Sequence, residues 1–170
     1  MVCHRDGLLF FYKIMAYKGI YFQKQKEGAT VKESVADFGI WCKDFPFKIY
    51  GDAKDLASTD WKDKHGDDEF VPDEIMLKAY DIEVSFCYKG NAGSANVKID
   101  TFLKYLTGLD GSGSVMKAYD SYTGIGRQNI RFKSVSTDGE LVRDDRNGDI
   151  IVFKVIFKVN DPVTNVVLSK

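Results

Sequence analysis

The residues best suited to metal binding or acid–base chemistry surround His65, in a polar stretch between residues 51 and 72. Four carboxylates lie within four positions of this histidine: Asp63, Asp67, Asp68 and Glu69. Metal ligands are usually held in place by helices or strands, whereas these residues lie next to one another in a polar stretch that we predict to be a loop. We therefore interpret the group as the solvated side chains of a loop and predict no metal site there.

A second acidic cluster precedes Gly148 and has the composition, but not the spacing, of a calcium-binding loop. If Gly148 took the sixth position of an EF-hand loop, Arg143 would occupy the first ligand position and no Glu would stand at the twelfth. The pair Asn147-Gly148 lies between two apolar runs, which instead predicts a β-hairpin turn.

Catalytic motifs are also missing from the sequence, which contains no nucleophile elbow, no phosphate-binding loop and no zinc-protease motif. The carboxylate pairs of glycoside hydrolases meet only in the folded chain, so a sequence does not reveal them. We predict that the protein is not an enzyme and that it uses no metal and no cofactor. A small enzyme that gathers His65 or several carboxylates in one pocket is the third-ranked hypothesis.

Charge and cysteine content narrow the classes of partner. The chain has 24 basic and 25 acidic residues, and a net charge of −1 argues against a large surface that binds nucleic-acid phosphates. The three cysteines, Cys3, Cys42 and Cys87, show no C-x-x-C spacing. We predict small buried or half-buried thiols in a reducing cytoplasm, without a disulfide framework or a zinc cage.

The first 34 residues differ from the rest of the chain. The apolar run Leu8–Met15 is interrupted by Lys13, is shorter than the roughly 18 residues of a membrane span, and precedes no small-x-small cleavage site. We interpret residues 1–14, which include His4, as an extension before a natural start at Met15. Residues 1–34 are predicted to form an N-terminal arm or extension, whose order before assembly the sequence leaves open, and residues 35–170 a single β-sandwich domain.

Three segments carry the strongest secondary-structure signals. Apolar and polar residues alternate from Tyr80 to Tyr88 and from Ile151 to Val159, which is the period of half-buried antiparallel strands. One amphipathic helix is predicted at about 95–107, with Ser94 capping its N-terminus and Gly108 its C-terminus. Its apolar face consists of Ala95, Ile99, Phe102, Leu103 and Leu106.

Weaker signals complete the sheet. Short strands are predicted at Gly19–Gln25, Val115–Tyr119 and Gln128–Val135, and the last two flank a loop at Tyr122–Arg127. Gly51–Pro72 is predicted to be a long surface loop and, because such loops are usually functional or disordered, the first place to look for a contact surface. The fold class is mainly β (α+β): an antiparallel β-sandwich or barrel flanked by one α-helix.

Four segments between residues 79 and 162 carry a resemblance to a known family. They are the strand Ala79–Tyr88, the helix Ile99–Gly108, the segment Met116–Tyr122, and the strand Val152–Pro162 with its ending Phe-Lys-Val-Asn-Asp-Pro. In their order and spacing they resemble the N-terminal domain of the phage distal tail proteins and the related phage tail-tube proteins. Many distal tail proteins carry a second, C-terminal domain that is lacking here, so a tube subunit or a tail-completion protein stays an alternative.

This resemblance implies a structural protein of a phage or prophage virion. Family members assemble in the bacterial cytoplasm into closed hexameric rings at the tail tip, joining the tail tube to the host-adhesion apparatus around a lumen for DNA. The implied partners are other copies of the chain and other tail proteins, with no membrane and no specific nucleic-acid binding. The resemblance assigns ring contacts to Tyr21, Phe22, Trp41, Phe47 and Trp61. For each aromatic residue, the alternative is that its side chain fills the domain's own core.

A second class of function also fits a β-sandwich, namely a binding module for carbohydrates or cell-surface ligands. This alternative predicts exposed aromatic side chains along one concave sheet face, and a monomer in solution. A ring-forming subunit instead predicts two different faces that meet between copies, because a closed ring needs a heterologous interface.

Overall fold

The computed structural model describes residues 19–144 and 148–170, which form nine strands and two helices. The helices are α1 (Ser34–Phe38) and α2 (Ala95–Thr107). The strands are β1 (Ile20–Lys24), β2 (Val31–Glu33), β3 (Ile40–Asp44), β4 (Ser58–Asp60), β5 (Asp67–Glu69), β6 (Tyr80–Gly90), β7 (Val115–Asp120), β8 (Ile125–Asp144) and β9 (Gly148–Val159). Seven strands build one antiparallel sheet, and β4 and β5 form a separate hairpin. The mainly β fold class and the helix at 95–107 are confirmed.

Alternation along β6 and β9 places one face of each strand in the core. The two strands pair antiparallel, with Val84 opposite Val155 and Phe86 opposite Phe153, and all four side chains are buried. Strands β8 and β9 also pair, and their ladder extends to Gly148, the last residue of the predicted hairpin turn. The preceding residue of that turn, Asn147, lies outside the described residues.

The seven-stranded sheet is strongly curved. Its strand order is β2-β1-β7-β8-β9-β6-β3, so β2 and β3 are its opposite edges. In a flat sheet these edges would lie about 29 Å apart, because neighbouring strands are about 4.8 Å apart. Only α1 and Gly39 join the two edge strands, and a single short helix with its flanking residues spans about 15 Å. The sheet therefore curls toward a barrel, and α1 lies across the seam.

Aromatic side chains from distant parts of the sheet meet against α2. The fully buried ring of Phe102 has its centroid 6.1 Å from that of Phe22, 5.2 Å from Phe38 and 5.1 Å from Phe86. Such pairs each stabilise a core by about 0.5–1.5 kcal/mol beyond the area they bury. The predicted apolar face of α2 is confirmed, and the structure adds the buried Tyr105 to it.

The prediction of an N-terminal arm up to residue 34 is wrong for its described part. Strand β1 pairs with β7 from Ile20–Asp120 to Lys24–Met116 and with β2 on its other side. Phe22 is fully buried, so residues 20–33 belong to the domain. The polar composition hid β2 because this strand is a short edge with no fully buried residue. Residues 1–18, with the proposed extension 1–14, His4 and Cys3, lie outside the described residues.

Three local predictions also need correction. A second, five-residue helix, α1, precedes β3. The hydroxyl of Ser94 does not cap α2, because it donates to the carbonyl of Asn91. Arg127 is buried within β8 and does not lie in the predicted loop, which shortens to residues 121–124. The C-terminal cap of α2 is confirmed, since Gly108 has a φ of 82° and its N–H bonds the carbonyl of Lys104.

Candidate functional site

The long connection between β3 and β6 forms a projecting hairpin, which we call the arm and define as residues 48–78. Its strands are held together near the sheet by hydrogen bonds from Lys54 N to Met76 O and from Lys78 N to Asp52 O, each 2.7 Å long. Farther out, Ser58–Asp60 pairs with Asp67–Glu69. Between these two paired parts, residues 54–57 and 70–76 belong to no strand, so the hairpin is irregular there.

Every residue of the arm is exposed or half-buried. Seven of the fourteen large hydrophobic side chains that are exposed among the described residues lie on it: Ile49, Tyr50, Trp61, Phe70, Val71, Ile75 and Met76. Phe70 is 72% exposed and Ile49 is 78% exposed, so their apolar surface lacks a partner within the described residues. An apolar set of this kind, surrounded by polar residues, is typical of a protein–protein contact.

Charge on the arm is mainly negative. Nine acidic and five basic residues lie between 48 and 78, a net charge of −4 against −1 for the whole chain. Three exposed ion pairs run along it, between Lys48 and Asp52, Lys64 and Asp68, and Lys78 and Asp55. The hydrogen bond from Lys48 lowers the pKa of Asp52. Pairs this exposed contribute little stability, so they do not replace an apolar core for the arm.

A buried arginine anchors the base of the arm to the sheet. Nη2 of Arg127 donates to the carbonyls of Lys48 and Ile49, each at 3.1 Å, where the chain enters the arm. Nη1 donates to the carbonyl of Gly126 at 3.0 Å and lies 3.4 Å from Oδ1 of Asn165 in the C-terminal segment. The planar guanidinium thus fixes the arm and the C-terminal segment against β8 with one side chain.

Five aromatic residues were predicted to make contacts between subunits of a closed ring, and the structure places them in different environments. Phe22 and Phe47 fill the core, so their assignment to a surface contact is wrong; both project inward beside Phe45. Tyr21 is half-buried against Tyr119, with ring centroids 6.4 Å apart. Trp41 is 41% exposed on the edge strand β3, and Trp61 is 50% exposed on the arm. The structure does not bring the five together.

The arm's other apolar residues were missed by the prediction. Phe70-Val71 and Ile75-Met76 follow the acidic residues of the predicted Gly51–Pro72 loop, and they show no alternation with polar residues. Adjacent apolar residues inside a polar segment, without helical or strand periodicity, are the signal from which these exposed side chains could have been predicted. The surface position of Gly51–Pro72 is confirmed, although the segment contains strands β4 and β5.

Metal and thiol chemistry receive no support in the part of the chain that the structure describes. No group of three or more His, Cys, Asp or Glu side chains is placed to hold a metal ion there, and His65 is exposed in the turn of the arm. Cys42 and Cys87 are half-buried, as predicted, and burial raises the pKa of both thiols. None of the described helices is long and apolar enough to cross a membrane.

Comparison with known proteins adds nothing to this description. No family model and no curated protein matches the sequence. The geometry of the arm and of the sheet therefore carries the functional argument, together with the resemblance in element order.

Proposed function

We propose that this protein is a structural subunit of a phage or prophage tail, which assembles with copies of itself into a closed ring through the arm. The observation that carries the proposal is the arm's seven exposed hydrophobic side chains on a hairpin in which no residue is buried by the rest of the described chain. A two-stranded hairpin is marginally stable in water by itself. A neighbouring subunit that covers the arm would supply the missing burial.

A closed ring requires a heterologous interface, in which one face of each subunit meets a different face of the next. The arm suits this geometry because it projects away from the sheet and differs from it in charge and shape. Strands β4 and β5 pair only with each other among the described strands, so each keeps one free edge. A free edge accepts main-chain hydrogen bonds from a partner strand. Trp41 on the edge strand β3 is a second candidate contact.

The element order, with α2 between β6 and β7, supports the more specific role in a tail. By its resemblance to distal tail and tail-tube proteins, the ring would be a hexamer at the tail tip. It would join the tube to the host-adhesion apparatus, with other tail proteins as partners and DNA passing through the lumen. Assembly would take place in the bacterial cytoplasm before incorporation into the virion.

The alternative of a carbohydrate-binding module requires aromatic side chains along one sheet face. Exposed aromatic residues among those described are Trp41, Tyr50, Trp61, Phe70 and Tyr122, and only Trp41 lies on a strand of the seven-stranded sheet. This distribution favours a contact made by the arm over a binding face on the sheet.

The test is the mass of the protein in solution, measured by light scattering at several concentrations. In the test variant, Trp61, Phe70 and Met76 are each changed to Ser. The control changes Val97, Leu109 and Val167 to Ser, because these apolar side chains are also mostly exposed but lie outside the arm. We expect wild type and control to form a closed oligomer and the arm variant to be a folded monomer. A wild-type protein that stays monomeric at every concentration would contradict self-assembly through the arm.

A further inference from the structure

A cavity of about 220 Å³ lies where β1 turns toward β2, beside the C-terminus of α2. Its lining is mainly basic, whereas the arm is mainly acidic. Three lysines line it, Lys24, Lys26 and Lys32, together with Tyr105 and Glu27. Lys24 and Tyr105 are both almost completely buried, with 3% and 2% of their surfaces exposed. The cavity is thus a basic pocket built partly from buried side chains.

The ammonium groups in this pocket lack carboxylate partners. Within the described residues, none of the three lysines forms an ion pair, whereas seven other lysines do. Lys24 and Lys32 both approach the ring of Tyr105, each with Nζ 4.6 Å from the ring centroid. Two cations beside one ring repel each other, and the charges of Asp110 and Asp37 act against this repulsion without forming an ion pair with either lysine.

The buried hydroxyl of Tyr105 also has no hydrogen-bond partner among the described residues. A buried hydroxyl without a partner costs free energy, so native proteins nearly always satisfy it. Burial raises the pKa of Tyr105, as do the charges of Asp110 and Asp37, so the hydroxyl stays protonated at neutral pH. It is therefore available as a donor to a bound acceptor.

A purely structural role explains only part of the pocket. Nζ of Lys24 donates to the carbonyl of Leu106 at 3.2 Å, where the last turn of α2 has carbonyls without partners inside the helix. Nζ of Lys26 donates to the carbonyl of Gly111 at 3.1 Å. Each ammonium has three hydrogens, so donors remain on both lysines after these bonds. Helix capping explains neither Lys32 nor the hydroxyl of Tyr105.

We propose that this pocket binds a phosphate group, with Lys24, Lys26 and Lys32 as cationic donors and the hydroxyl of Tyr105 as a fourth donor. A phosphate offers three or four acceptor oxygens to these groups, whereas a carboxylate offers two. Lysine binds phosphate as a compact charge, and a desolvated pocket strengthens the attraction. Glu27 is exposed at the rim and opposes binding, which makes it useful in the test.

The experiment titrates the intact chain with inorganic phosphate at constant ionic strength and neutral pH, and follows binding by calorimetry and by the ring signals of Tyr105. Lys32→Met and Tyr105→Phe are expected to weaken phosphate binding about tenfold each, because each removes a hydrogen bond to a charged group. Glu27→Gln is expected to strengthen it by about two- to fivefold through lost repulsion. Lys98→Met, at an exposed lysine of α2 outside the pocket, is the matched control.

Tyr105→Phe separates binding from folding. Without phosphate this variant should be at least as stable as wild type, because it removes a buried hydroxyl that has no partner. Phosphate should raise the unfolding midpoint of wild type and of Lys98→Met more than that of Tyr105→Phe. The proposal would be overturned if Lys32→Met and Lys98→Met bound phosphate with equal affinity. It would also be overturned if wild type bound acetate as tightly as phosphate. These outcomes do not depend on self-assembly, since the pocket lies outside the arm.

Discussion

The sheet and the arm use large apolar side chains in opposite ways. In the sheet and on α2, Phe22, Phe86 and Phe102 converge on a common core and are fully buried. In the arm, Phe70 and Met76 are mostly exposed, although the N–H of Phe70 and the carbonyl of Met76 both make backbone hydrogen bonds across the hairpin. Because both regions contain backbone pairing, the difference in burial lies in what covers the side chains. Within the described residues, the side chains of the sheet core are covered, whereas the apolar side chains of the arm are not.

Charged groups show the same contrast. In the sheet, Lys24, Asp120 and Arg127 are buried, and each is held by several polar or aromatic groups. In the arm, the ion pairs are exposed, as between Lys64 and Asp68. Buried charges depend on their surroundings for their pKa and their stability, whereas exposed pairs are screened by water. Mutations should therefore have large effects on stability in the sheet and small ones in the arm.

The largest effect is expected at the centre of the core. Phe102→Ala would leave a cavity between rings from β1, α1 and β6, and such changes cost about 3–5 kcal/mol in the free energy of unfolding. Unfolding in urea, followed by circular dichroism, measures this difference. If the free energy of unfolding fell by less than about 1 kcal/mol, the contrast between sheet and arm would be contradicted, because the core would then not depend on the packing of α2.

An intermediate effect is expected from the buried ammonium of Lys24. Burial lowers its pKa to about 8, despite the favourable charge of Asp110, while the unfolded chain keeps a pKa of about 10.5. Between pH 8 and 10.5 the unfolded chain therefore binds more protons, and the stability of the folded protein rises with pH. Because the pocket opens to solvent, we expect this rise to be about 1–2 kcal/mol.

The difference between wild type and Lys24→Met isolates this contribution from other titrating groups. Urea unfolding at pH 7.5 and at pH 10.5 should show the extra rise in wild type and not in Lys24→Met. Lys64→Met in the arm provides the matched comparison, and its pH dependence should follow that of wild type. Equal pH dependence of wild type and Lys24→Met would show that the ammonium is not buried in the folded chain.

The smallest effect on folding is expected in the arm. Phe70→Ala removes an aromatic side chain that buries little surface in one subunit, so the free energy of unfolding of the monomer should change by less than about 0.5 kcal/mol. Measurements at low protein concentration, where assembly is negligible, test this value. A loss as large as that of Phe102→Ala would mean that the arm packs against its own subunit. It would then remove the contrast between the two regions.

The sequence by itself determined the elements whose pattern repeats locally. Alternation over Tyr80–Tyr88 and Ile151–Val159, and the apolar face of the helix at 95–107, follow from the periods of strand and helix. The αL conformation of Gly108 was also predictable from the local sequence, because a glycine just after a helix commonly takes a positive φ and ends it. Where apolar residues showed a short periodic pattern or none, as in β2, α1 and the arm, the sequence did not determine the secondary structure.

Only the tertiary structure decided which aromatic residues are buried and which are exposed. Phe47 and Phe70 have the same side chain, but one packs on Phe45 and the other projects from a hairpin. Likewise, Lys24 and Tyr105 are 81 positions apart, and only the curled sheet brings them into one pocket. Burial and long-range proximity depend on how distant segments pack, and a local pattern carries no record of that packing.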